Sequence, residues 1–432
     1  MSANLPAADA SAPANRDPQP EHLGYTAARA ARQLLTEEEA QHILRSYNLR
    51  LRSLQRIPRG TINTNFRVDT DAGPAFLRIN EGKTEDEVRF ESELIWHLGS
   101  HGLLTPQLWR TRSSQPYVMW RRDEHAAAQP VMLMTWVDAH ELTETELTPA
   151  HTYIVGALLG QLHLCTAGFP QARPGIYTVA RIKGRLHRLQ ADPRATAEVG
   201  PLLGELLAEA EALPAARRRE LPSGIGHSDL FPDNLLFSGW AHRRARRARR
   251  LPDALAAGGG LGLHGQLGWI LDLEQAATIP LVYDLAVALL AFCAPVHAAA
   301  PGTEPTLGPT VGPLDRARAQ ALVAGYQTMR VLSEAEWIAL PSELRWAAVR
   351  FTTTRLTDVE RYGQPASAPP IPADPADPAH PLLTAASPDP REAGGAPAHS
   401  KDYRDFAHRL TLLRPLTAPE LQAELQAGRP PG

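Results

Sequence analysis

Cysteine is nearly absent from this 432-residue chain: there are two, Cys165 and Cys293, both in apolar surroundings. Two such thiols build neither a disulfide framework nor a thiolate metal site, and they suit a reducing cytosol. Also missing is an apolar run that could cross a bilayer. The longest, 281–300, is interrupted by Asp284, Pro295 and His297, and reads as a core helix. The N-terminus has no basic segment followed by an apolar core, so no secretory signal is expected. Nor is there a surplus of charge. With 44 Lys and Arg against 47 Asp and Glu the net charge is −3, which gives no general affinity for nucleic acid or an anionic membrane.

What the chain has in excess is proline, 39 residues, and it clusters. Segments 294–313 and 363–399 are rich in Pro, Ala and Gly without periodicity, and cannot bury enough apolar area to offset chain entropy. A third excursion, 240–265, carries RRARRARR before Gly258-Gly-Gly260. All three read as insertions. The arginine run could serve nucleic acid, with steep salt dependence as its sign. A solvated loop in a neutral protein is the simpler account, so neither a nucleic-acid nor a membrane partner is expected. Residues 1–36 read as a disordered extension and 416–432 as a tail.

Chemistry concentrates in two stretches. In Ile225–Phe237, IGHSDLFPDNLLF, the polar residues His227, Asp229, Asp233 and Asn234 stand before an apolar run. Pro232 fixes its own φ and biases Phe231 away from helix, so a loop followed by a short strand is expected. A carboxylate with an Asn five residues on suits phosphoryl transfer: Asp229 as the base for a hydroxyl, Asn234 as an oxygen ligand for Mg²⁺. Alone, such a pair is commonly just turn chemistry. In the second stretch, LGWILDLEQA (267–276), an apolar strand ends in Asp272 and Glu274, where a second metal ligand is needed. A strand that simply meets solvent would read the same.

Together, H-x-D-x-x-x-x-N at 227–234 and D-x-x-x-A at 272–276 resemble the kinase-like phosphotransferases of small molecules: aminoglycoside phosphotransferases, choline kinases and type II homoserine kinases. The resemblance implies an α+β, protein-kinase-like two-lobe fold, with an antiparallel-sheet N-lobe (37–137) and a mostly helical C-lobe (138–415). It also implies ATP and Mg²⁺ as cofactors, with catalytic Asp229, Asn234 and Asp272, the last two holding the metal.

Along the chain, 37–47 reads as an amphipathic helix capped by Thr36, and 49–54 as a strand. Gly60, Asn63, Thr64 and Asn65 make a small-residue loop; G-x-x-N-T-N-F resembles the nucleotide loop of type II homoserine kinases, although a plain hairpin turn fits too. A hairpin follows through Asp71-Ala-Gly73, with Arg78 on its second strand. There the families hold a phosphate-binding Lys or Arg, and a guanidinium can clamp two oxygens. Lys83 just beyond reads as surface. A helix opened by the Thr84–Glu87 capping box carries Glu91 in its apolar stripe, where a carboxylate needs a partner. Arg78 is the expected one, and Glu93 takes the place of Glu91 if the register is off by a little. The apolar strand 131–137 should lead into the inter-lobe linker, with Thr135, Trp136 and Val137 facing adenine.

Thr148 and Pro149 open a long helix whose string LGQLHLCTAGFP resembles the homoserine kinases; His163 reads as structural, as does Asp284. Helices are expected over 182–213, 350–362 and from 400. The patterns R-F-x-x-x-R-L-x-D (350–358) and K-D-x-x-x-F (401–406) resemble the same family. Arg355 is expected to pair with a substrate carboxylate, and Asp233, Glu274 or Asp358 with its ammonium. The expected reaction is transfer to the hydroxyl of a small amino alcohol, with L-homoserine first. Choline, ethanolamine or an aminoglycoside are alternatives, as is nucleotide binding without turnover. A monomer or homodimer in the cytoplasm is expected.

Overall fold

The computed structural model describes residues 35–57, 63–213, 220–239, 266–295, 309–360, 362 and 402–427. Gly60 and most of the three expected insertions lie outside them. Helix α1 (Glu37–Arg45) starts at a Thr36–Glu39 capping box. Strands β1 (Leu51–Ile57), β2 (Thr64–Thr70) and β3 (Gly73–Ile79) form a meander, with Gly73 at φ 109° closing the second turn. Helix α2 (Glu85–Ser100) follows its own capping box, and β4 (Tyr117–Trp120) and β5 (Gln129–Thr135) complete the sheet. Its order is β1-β2-β3-β5-β4, antiparallel throughout.

Period-two alternation decides what this sheet presents on each side. Leu77, Ile79, Val131 and Leu133 pack with Ile43 and Leu44 of α1 in a small separate core. Met132 and Met134 turn to the other face and join α2 in the main core. Arg78, opposite Met132 in the register, is on that same face. Both methionines are buried.

The chain leaves β5 at Thr135 and pairs again at His140, whose N–H and C=O bond to Phe237. Beyond it the fold is mainly helical: α3 (Pro149–Thr166), α4 (Val179–Ala191) and α5 (Pro193–Ala212). Short strands β6 (Ser223–Gly226), β7 (Leu235–Gly239), β8 (Gln266–Ile270) and β9 (Ala277–Pro280) pair as β6 with β9 and β7 with β8. Helix α6 (Leu281–Phe292) is buried along its whole length. The two-residue strands β10 (Thr310–Val311) and β11 (Leu314–Asp315) then turn through Gly312 at φ 57°. Val311 is buried there, so the end of the 294–313 insertion is part of the fold.

The remaining helices are α7 (Arg316–Met329), α8 (Glu334–Asp358), α9 (Tyr403–Leu413) and α10 (Ala418–Gln426). Helix α8 begins sixteen residues before the expected start at 350, because its capping box is Ser333 with Glu336. The segment read as a tail contains α10, which buries Leu421 and Leu425. Helices α3 and α7 cross closely: a Cβ on Gly156 would lie 1.9 Å from the Leu322 carbonyl oxygen, and one on Gly325 2.0 Å from that of Tyr153.

Candidate active site

The β7–β8 pair explains how two stretches far apart in sequence meet. Leu235 faces Ile270, and one step further the Leu271 N–H bonds to the Asn234 carbonyl at 2.9 Å. Asn234 and Asp272 therefore emerge side by side from the β7–β8 hairpin, and residues 240–265 lie outside the described residues. Before β7 the chain makes a 3₁₀ turn at Pro232–Asn234, as a proline at its start favours.

Below this hairpin the loop is fixed from α6. Asp284 is fully buried; its carboxylate accepts from the N–H groups of His227 (2.7 Å) and Ser228 (2.8 Å) and from His163 Nε2 (3.0 Å). Tyr326 bonds the other nitrogen of His163 at 2.8 Å. Burial alone would raise the Asp284 pKa, but the hydrogen bond and charge of His163 hold it below its usual value. His227 in turn donates from Nε2 to the Leu271 carbonyl (2.8 Å), tying the loop to the strand that bears Asp272. Ser228 and Asp272 both adopt left-handed backbone, φ 68° and 52°. Non-glycine residues in that region cost about 1 kcal/mol or more and gather where geometry is imposed by function.

Asp229 stands in a polar frame. Oδ1 accepts from Arg350 at 3.1 Å and Oδ2 from Gln275 at 3.1 Å, while Arg350 also donates to Gln275 Oε1 at 2.9 Å. Burial pushes the Asp229 carboxyl up; Arg350 is the largest influence against it. Asn234 donates from Nδ2 to the Asp229 carbonyl (2.9 Å), which leaves Oδ1 for another partner.

On the N-lobe side, Arg78 and Glu91 form a buried ion pair, and Arg78 also reaches Asp272 at 3.4 Å. Arg78 Nε is buried without a partner among the described residues. Glu93, the fallback, bonds Gln171. Lys83 does not lie on the surface: its side chain is 10% exposed, with Nζ 2.5 Å from Glu274 and 3.5 Å from Glu91. Asn63 donates to the same Glu274 oxygen at 2.8 Å. Poor solvation and the Glu274 charge push Asp272 up, against Arg78 and Lys83. Burial would raise Glu274 too, but Lys83 and Arg78 outweigh it and pull its pKa down. The Asp272 side chain is 37% open to water, so a cation can reach it.

Other expected site residues are dispersed. Thr64 bonds Glu81, and Asn65 faces Arg78 across β2 and β3. The Thr135 N–H is committed to the Gln107 carbonyl (2.8 Å); Trp136 and Val137 are half-buried, with the Arg67 guanidinium 4.8 Å from the Trp136 ring centre. Asp233 is exposed. Arg355 donates to the Asp402 carbonyl (3.0 Å) and lies 4.2 Å from the Phe406 ring, and Asp358 bonds Arg185 at 3.0 Å. Neither is among the side chains bonded to Asp229. The reason is helical: five residues turn a side chain about 140° around α8, so Arg350 and Arg355 face different neighbours. Arg350, Gln275 and Lys83 were missed as site residues. The first two lie inside the quoted motifs, and a buried Arg is detectable only once the helix face is known.

Hard oxygen donors on Asn234 and Asp272 fit a small divalent cation. The orphan Arg78 N–H, with Lys83 beside it, fits an anionic phosphate. A carboxylate held by Arg350 and Gln275, two hard oxygen donors on Asn234 and Asp272, and a guanidinium clamped by Glu91 suit a small-molecule phosphotransferase of kinase-like fold. The comparisons agree. The phosphotransferase enzyme family matches residues 53–244. A homoserine kinase of Nitrobacter winogradskyi is 30% identical over 325 residues, 74% of this chain and 84% of that protein. One from Xanthobacter autotrophicus is 31% identical over 322 residues, 74% and 85%. Among solved structures, an amicoumacin kinase in complex with AMP-PNP, Ca²⁺ and Ami superposes with a TM-score of 0.50 at 14% identity, over 70% of this chain and 80% of that one. The chain belongs to the phosphotransferase enzyme family, as a relative of homoserine kinases.

Proposed function

We propose that the protein transfers the γ-phosphoryl group of ATP to the hydroxyl of L-homoserine, in the cytoplasm, giving the O-phosphate used for threonine. The observation that carries this reading is Arg350, a guanidinium with a 3% exposed side chain held 3.1 Å from the candidate base. An acceptor that brings a carboxylate to that position meets a matched charge. Choline lacks one, and aminoglycosides carry cations instead. The exposed Asp233, at the head of the same turn, is our choice for the ammonium. Glu274, already paired with Lys83 and Asn63, suits the nucleotide side better.

In this reading Asp229 orients the acceptor hydroxyl and takes its proton as the oxygen–phosphorus bond forms and the bond to the ADP oxygen breaks. Gln275 holds the second oxygen of Asp229, so that the first can turn from Arg350 to the hydroxyl. Arg78, fixed by Glu91, binds phosphate, and Thr135–Val137 border the base. Asn234 and Asp272 would hold Mg²⁺, which would supply positive charge to the phosphates. Most of the acceleration comes from positioning. The test is kcat/KM for L-homoserine, choline, ethanolamine and an aminoglycoside on one preparation. Homoserine should lead by at least tenfold; choline or an aminoglycoside ahead of it refutes the acceptor, and no turnover of any refutes catalysis.

A further inference from the structure

Lysine is rare here. The chain has three, Lys83, Lys183 and Lys401, among 44 Lys and Arg residues, so positive charge is supplied by arginine almost everywhere. Lys183 is one-third exposed and lies 3.6 Å from Glu211; Lys401 is outside the described residues. Lys83 is different. It follows Gly82, which turns the chain at φ 68°, and immediately precedes the Thr84 cap of α2. Its ammonium is nearly removed from water, which is tolerated only when the charge is matched. Two carboxylates match it, Glu274 from the C-lobe and Glu91 from α2.

Glu91 is shared. Arg78 bonds one of its oxygens and Lys83 lies 3.5 Å from the other, so the two cations sit on either side of one carboxylate. Arg78 is already divided between Glu91 and Asp272 and is 5% exposed. Lys83 is the cation next to the Asn63 end of the nucleotide loop, since both donate to Glu274 Oε2. A compact ammonium with three rotatable donors can leave one oxygen for another of the same charge with little rearrangement, which a forked guanidinium cannot.

We propose that Lys83 is a phosphate-binding residue of the nucleotide cleft, a second cation acting beside Arg78, which Glu274 holds until a phosphate oxygen replaces it. The inference rests on the nucleotide half of the function proposed above and is independent of the acceptor. It assigns to the segment between β3 and α2 a role beyond connecting them.

The experiment is calorimetric titration of ADP with Mg²⁺, and separately of adenosine, into the full chain without acceptor. In Lys83→Met, ADP affinity should fall roughly ten- to a hundredfold, as for loss of one charged hydrogen bond, while adenosine stays within twofold. Lys83→Arg, which keeps the charge but not the compact ammonium, should recover only part of the ADP affinity. Should the Met variant not fold, Lys83→Gln, which still donates to Glu274, makes the same comparison. ADP affinity within twofold of the parent, even with a lowered Tm, makes Lys83 a structural tie and overturns the proposal. Equal losses for ADP and adenosine overturn it as well. A parent protein that binds no nucleotide overturns the reading beneath it.

Discussion

Asp284 is the site residue whose replacement has the most readable consequences. Its carboxylate holds three buried donors, two of them successive N–H groups of the loop that carries Asp229. In Asp284→Asn one oxygen becomes an NH₂ and faces at least one of these donors. The unpaired buried donor costs about 1–3 kcal/mol, and the surviving bonds lose their charge assistance, so about 3–5 kcal/mol of stability is at stake. The sign with pH follows from the depressed pKa of Asp284. Its contribution is complete above the unfolded value near pH 4 and is lost as pH falls through the lower folded value. Urea denaturation should therefore show a wide gap between parent and variant at pH 7 that narrows below about pH 4. Loosening the loop displaces Asp229, so kcat should drop roughly ten- to a hundredfold, with ADP affinity little changed. A variant unfolding at the parent's midpoint at pH 7, or turning over within twofold of it, would refute the anchoring role.

Other substitutions probe the site and its frame. Asp229→Asn should lower kcat by about 10²–10⁴-fold and leave nucleotide binding intact, measured by steady-state kinetics and calorimetry. Arg350→Ala should raise the homoserine KM about tenfold or more, whereas Arg355→Ala, which loses its contacts to Asp402 and Phe406, should lower stability and spare that KM. The opposite pattern would return the acceptor carboxylate to Arg355. Gly156→Ala should destabilise by about 1–3 kcal/mol or more, because its Cβ would lie within 1.9 Å of a carbonyl oxygen on the crossing helix; equal urea midpoints would contradict that crossing.

Much of this could be read from local pattern, because local pattern carries its own physics. Capping boxes at Thr36 and Thr84, and Thr148 with Pro149, mark helix starts wherever the chain is folded, and the structure begins α1, α2 and α3 there. A carboxylate in an apolar stripe demands a cation, which is why Glu91 pointed to Arg78 before either was seen in space. The loop 225–237 and the strand before Asp272 were visible as polar residues set against apolar runs.

What sequence could not decide is what faces what across elements distant in the chain. Nothing local distinguishes Arg350 from Arg355: both stand in one helix, and only the packing of α8 around the loop turns the first to Asp229 and the second to α9. Lys83 looked exposed because it follows a strand end and a glycine. Its burial depends on Glu274, 191 residues away, on the Leu273–Gln275 turn that packs against α2. Periodicity and capping are fixed by neighbours within a few residues. The partners of a buried charge are fixed by the closing of the whole chain.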